Sequence, residues 1–139
     1  CWMKLGYVLY FSDYEFANGG HADKLFIVFS DPEKETLLLL IVTSKGKDSR
    51  NTGCQPAARR FLIRAGKYGF VKDTWVDLQR NVNVVGKDQL AALIAQGKAV
   101  IQFSIPTQVI NEIKNCLTRH SIDCLSREAC ALLGISPKW

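Results

Sequence analysis

Lys24-Leu-Phe-Ile-Val-Phe-Ser-Asp31 and Thr36-Leu-Leu-Leu-Leu-Ile-Val-Thr-Ser44 are two apolar runs joined by Asp31-Pro32-Glu33-Lys34. Both runs have the length of strands rather than helices, and Asp-Pro marks a turn between them. They predict a hairpin with strands at 24–30 and 36–43. Neither run alternates apolar with polar, which is the pattern of strands covered on both faces. Each strand meets a polar group at one end, Lys24 opening the first and Thr43 with Ser44 closing the second, and those groups can handle a phosphate.

Outward from this hairpin, Leu5-Gly-Tyr-Val-Leu-Tyr-Phe11 is rich in aromatic and branched residues and predicts a first strand. Ser12 to Asp23, with Asn18-Gly19-Gly20-His21, reads as a long loop. A second loop is expected over 45–60, where Lys45, Lys47, Arg50, Arg59 and Arg60 stand among Gly46, Gly53 and Pro56. Short strands are expected at 61–64, 74–78 and 81–85, giving a meander of five or six strands.

Beyond that point the period changes. Lys87 to Gln96 predicts a helix closed by Gly97, and a brief strand follows at 99–103. Pro106 then opens a second helix whose apolar stripe is Val109, Ile110, Ile113, Cys116 and Leu117. A third helix is expected over 125–133. The fold class is therefore mainly β with C-terminal helices (α+β), a small and partly open β-barrel. One domain is expected over 1–139, with the barrel at 5–103, the helix 87–96 inserted in it, and a helical part at 104–139.

The composition agrees with a single core: 139 residues, 47% hydrophobic and 22% charged. The net charge of +5 permits attraction to phosphate backbones and equally suits an ordinary solvated surface. Five cysteines, Cys1, Cys54, Cys116, Cys124 and Cys130, form an odd set without a Cys-x-x-Cys pair. They are read as reduced thiols, with no disulfide framework and no zinc site. No run approaches the roughly 18 apolar residues of a membrane span, so the chain is read as cytoplasmic, with no cofactor and no metal.

A family resemblance gathers these features. The order of a Gly-Tyr-Val opening strand, a Gly-rich loop, a basic residue starting the strand that ends in Ile-Val-Phe-Ser-Asp, a second strand ending in Ile-Val-Thr-Ser, and a late amphipathic helix resembles the MazF/PemK toxins, also called Kid or CcdB-like. The resemblance covers about residues 5 to 117. It implies an SH3-like barrel, a homodimer, and a metal-independent endoribonuclease that cuts single-stranded RNA and is silenced by a cognate antitoxin. It also implies catalytic roles for Lys24, where the family prefers arginine, and for Thr43 with Ser44. Lysine is a point charge on a flexible stem and cannot make arginine's two-pronged contact with a phosphate.

Metal-free RNA cleavage needs a base for the 2′-hydroxyl, an acid for the leaving oxygen, and donors around the extra phosphate charge. His21 or Asp73 can supply the base, Lys24 or Arg64 the charge, and Thr43 and Ser44 the hydroxyls. Lys67 and Lys72 flank Tyr68 and Phe70, a basic and aromatic pattern able to stack on bases. The RNA-binding set is then Lys45, Lys47, Arg50, Arg59, Arg60, Arg64, Lys67 and Lys72. Each has a plainer reading: a loop histidine, a turn-ending aspartate, strand-ending hydroxyls, a solvated turn above a core aromatic. The competing function is a non-catalytic barrel that grips a peptide, a protein or a nucleic acid.

Overall fold

The computed structural model describes residues 3–15, 19–43, 52–55, 60–78, 82–120 and 133. Its elements are β1 (Tyr7–Glu15), β2 (His21–Val28), β3 (Thr36–Thr43), β4 (Gly53–Gln55), β5 (Arg60–Ile63), β6 (Thr74–Asp77), β7 (Val82–Gly86), α1 (Lys87–Ala95), β8 (Ala99–Ser104) and α2 (Thr107–His120). All strand pairs are antiparallel, in the order β4-β5-β6-β3-β2-β1-β8, with β7 pairing β3 beside β6. The sheet does not close among the described residues. The architecture is α+β, as expected; among the described residues seven strands, β1–β7, stand where the meander of five or six was expected, and β8 matches the brief strand at 99–103.

β2 and β3 form the predicted hairpin, in register from Leu25–Val42 to Val28–Leu39. Its turn is held by the Asp31 carboxylate, which accepts from the Glu33 amide at 3.0 Å. The buried Ser30 hydroxyl accepts from the Leu38 amide at 2.7 Å, so the polar group entering the core is satisfied.

The continuous apolar runs are explained by two cores. Leu38, Leu40 and Val42 point to one face of the sheet, and Leu37, Leu39 and Ile41 to the other. α2 covers the first face with Val109, Ile110, Ile113, Cys116 and Leu117, all buried. The second face is covered through Leu90, Leu93 and Ile94 of α1. The five residues of the predicted stripe on α2 are thus part of the chain's own core. α1 ends as predicted, with Gly97 at φ +75° and its amide donating to the Ile94 carbonyl while the Lys98 amide donates to Leu93.

Three expectations are corrected. The long loop at 12–23 is mostly strand, because β1 runs on to Glu15 and β2 starts at His21, with a register break between Phe11 and Tyr14. The loop at 45–60 contains β4, which pairs with β5. The third concerns the thiols: Cys54 of β4 and Cys116 of α2 are joined in a disulfide across a sequence separation of 62. The odd count concealed this pair, since parity constrains only a fully paired set. Cys1, Cys124, Cys130 and all of the expected helix 125–133 except Leu133, which is helical and buried, lie outside the described residues.

Candidate functional site

A cleft of about 640 Å³ opens where β1, β2, β3 and β8 meet the segment 69–74. Its apolar surface comes from Leu25, Val42, Phe70 and Phe103, and Val71 stands 87% exposed at its edge. Phe70 is buried and meets Phe103 edge to face, with ring centroids 4.9 Å apart. Gly69, at φ +106°, lets the backbone run directly under that ring: a Cβ there would lie 2.7 Å from Phe103 Cγ.

The cleft gathers three of the residues singled out from sequence. Lys24 and Thr43 line it, and so does Lys72, from segments well separated along the chain. The Leu25–Val42 pairing sets Lys24 and Thr43 at the next position of the two strands, and Thr43 also pairs with Trp75. The two-residue period sends Leu25 and Val42 to the α2 face, and Lys24 and Thr43, at the neighbouring positions, line the cleft as well.

Other expected residues lie elsewhere. Asp73 does not line the cleft: its carboxylate accepts from the Ala65 amide at 2.8 Å and from Arg64 Nη1 at 3.2 Å. Arg64 Nε also donates to the Thr52 hydroxyl at 3.1 Å. This arrangement ties the turn 64–73 to the strand that follows it. His21 begins β2 outside the cleft, with Nδ1 3.2 Å from Asp13 Oδ1. Arg60 pairs with Asp77 and Gln55 across the sheet, and Lys67 sits in the exposed turn beside Tyr68, which holds φ +58°. Ser44, Lys45, Lys47, Arg50 and Arg59 lie outside the described residues.

The cleft also holds a pair that the sequence reading passed over. Tyr10 donates its hydroxyl to Asp23 Oδ2 at 2.6 Å, and the Asp13 amide donates to Asp23 Oδ1 at 2.9 Å. The bond to Asp23 raises the Tyr10 hydroxyl above its ordinary pKa, with burial and the neighbouring charge adding to it. The bond from Tyr10, then that from the Asp13 amide, holds the Asp23 carboxyl below its ordinary value. The signal was faint: Tyr10 read as an aromatic of the first strand, and Asp23 as the last residue of a loop. Only the register, with Tyr10 opposite Leu25, brings the two side chains to one face.

Among the described residues no group of three or more His, Cys, Asp or Glu side chains could hold a metal ion. No helix among them is long and apolar enough to cross a membrane. The chain matches no family model and no curated protein.

Proposed function

We propose that the chain is a MazF/PemK-like toxin, a metal-independent endoribonuclease acting on single-stranded RNA and neutralised by a cognate antitoxin. The observation that carries this reading is the convergence of Lys24, Thr43 and Lys72 on one open cleft with an apolar floor. Two ammonium groups and a hydroxyl suit a phosphate, and the floor suits the face of a base. The SH3-like class, the homodimer and a cytoplasmic site belong to the same proposal. Exposed Val100 and Ile101 on β8, at the end of the strand order, supply an apolar edge on which a second copy could pair. In a reducing compartment the Cys54–Cys116 bond would be reversible rather than permanent.

A second reading is favoured by one observation. Asp73 is engaged by Arg64 and Ala65, and His21 lies outside the cleft, so neither expected base faces Lys24 there. A cleft that binds without cutting has no need of such a base.

Induced expression in bacteria separates the two. Wild type is compared with Lys24→Ala and Thr43→Ala, and total RNA is mapped for new 5′ ends in lysate containing EDTA. Growth arrest with site-specific cuts that vanish in the variants is the outcome expected of the nuclease. Normal growth and intact RNA from an abundant folded protein would favour the binding module.

A further inference from the structure

Asp23 is an anomaly in a cleft suited to phosphate. A carboxylate in the same cleft as Lys24 and Lys72 opposes an anionic ligand, and an aspartate is charged at neutral pH. It is nevertheless held in place from two sides, by the Tyr10 hydroxyl and by the Asp13 amide. A group so fixed and so charged suits a ligand edge that carries hydrogen-bond donors.

Its remaining capacity narrows which edge. An ionised carboxylate offers about four lone-pair sites over its two oxygens. Oδ2 receives Tyr10 and Oδ1 receives the Asp13 amide, which leaves one further site on each oxygen. Two adjacent acceptors fit two adjacent donors. Among the bases, guanine alone presents that pair on its Watson–Crick edge, the ring N1–H beside the 2-amino group. Cytosine and adenine offer a single amino group, and uracil a single N–H between two carbonyls that a carboxylate would repel. The apolar floor formed with Leu25 and Phe103 accepts the flat face of such a base.

We infer that Asp23, oriented by Tyr10, is a specificity-determining residue that reads a guanine in the cleft through the base's two neighbouring donors. This rests on the RNA-binding reading above and goes further, naming the base and the residue that selects it. Nothing in the inference requires the cleft to cut.

The test is binding to short 2′-O-methyl RNA oligomers, which cannot be cleaved, followed by fluorescence anisotropy. Each is a uridine tract with one central guanosine, inosine, cytidine, adenosine or uridine. For wild type the guanosine oligomer should bind roughly 5- to 150-fold more tightly than the all-uridine one, the span expected of a good bidentate contact. Inosine, lacking the 2-amino group, should fall between them. Asp23→Asn replaces one acceptor by a donor and should abolish the preference, and Tyr10→Phe should reduce it. Lys72→Ala should weaken all five oligomers alike. Binding that depends on Lys72 but is equal for all five, or a preference that survives Asp23→Asn, overturns the inference and leaves RNA binding standing. Absence of binding to every oligomer by folded wild-type protein, as judged by its thermal melt, overturns both.

Discussion

Gly69 sets the shape of the cleft floor, and its requirement is double. At φ +106° an L side chain is strained, and a Cβ would also meet the Phe103 ring at 2.7 Å, 2.9 Å and 3.0 Å. Gly66, in the same turn, has φ +83° but nothing within 4 Å of its would-be Cβ. Gly69→Ala should therefore destabilise by roughly 2–5 kcal/mol, overpacking and backbone strain together, while Gly66→Ala should cost about 1–2 kcal/mol from strain alone. Urea titration of both variants decides it: equal losses would mean that contact with Phe103 is without consequence. Ligand binding should fall only for Gly69→Ala, because only there must the ring move.

The Tyr10–Asp23 pair makes a prediction about pH at the same scale. Tyr10 is raised in the folded protein, so its contribution to stability is complete below the ordinary tyrosine value of about 10 and is lost as pH rises through the raised one. Asp23 is lowered, so its contribution is complete above the ordinary aspartate value of about 3.9 and is lost as pH falls through the lowered one. Between those limits the pair is intact. Phenolate absorbance, taken as the difference between wild type and Tyr10→Phe, should show Tyr10 titrating above the ordinary value. In Asp23→Asn that midpoint should move down, since the amide brings no negative charge. An unmoved midpoint would remove the electrostatic link between the two groups. Such a pair was illegible in sequence because neither residue carries a local signal; the register of β1 on β2 creates it.

At the scale of elements, legibility followed the strength of the local pattern. β2, β3 and α2 were readable because their apolar residues repeat at periods the backbone enforces, and burial followed those residues on both faces of the sheet. α1 was readable through Gly97, whose left-handed conformation closes the helix. The second half of β1 was not readable, since the shift between Phe11 and Tyr14 and the positive φ of Asp13 break the two-residue period that identifies a strand. β4 is three residues long and Gly53 opens it, so composition points to a loop. Pairing order was also hidden: β6 and β7 both lie against β3, Val76 beside Val42 and Val82 beside Leu40, and no short-range signal encodes that choice. The cleft inherits this division. Lys24 and Thr43 lie on readable strands, whereas Lys72 reaches the same cleft only through the return of β6 to β3.

At the scale of the whole molecule, the Cys54–Cys116 bond joins β4 to α2 across 62 residues of chain. Among the described residues β4 is the end of the strand order and pairs only with β5, while α2 covers one of the sheet's two buried faces. Closing a loop of 62 residues removes chain entropy from the unfolded state, worth roughly 4 kcal/mol in the chain-entropy account. For a domain of this size that corresponds to a fall of about 10–20 °C in Tm on reduction. Melts with and without a phosphine reductant, with thiols counted by alkylation and mass, test it. Cys54→Ser should melt with the reduced wild type and should no longer respond to reductant. Cys116→Ala should do the same and lose somewhat more, because its sulfur is also part of the buried core beside Ile113 and Leu117. An unchanged Tm in protein shown to be fully reduced would mean that the packing of α2 alone holds β4 in place. The thermal shift and the oligomer assay then inform one another: if reduction lowers Tm but leaves binding intact, the staple supports the fold and the cleft stands independently of it.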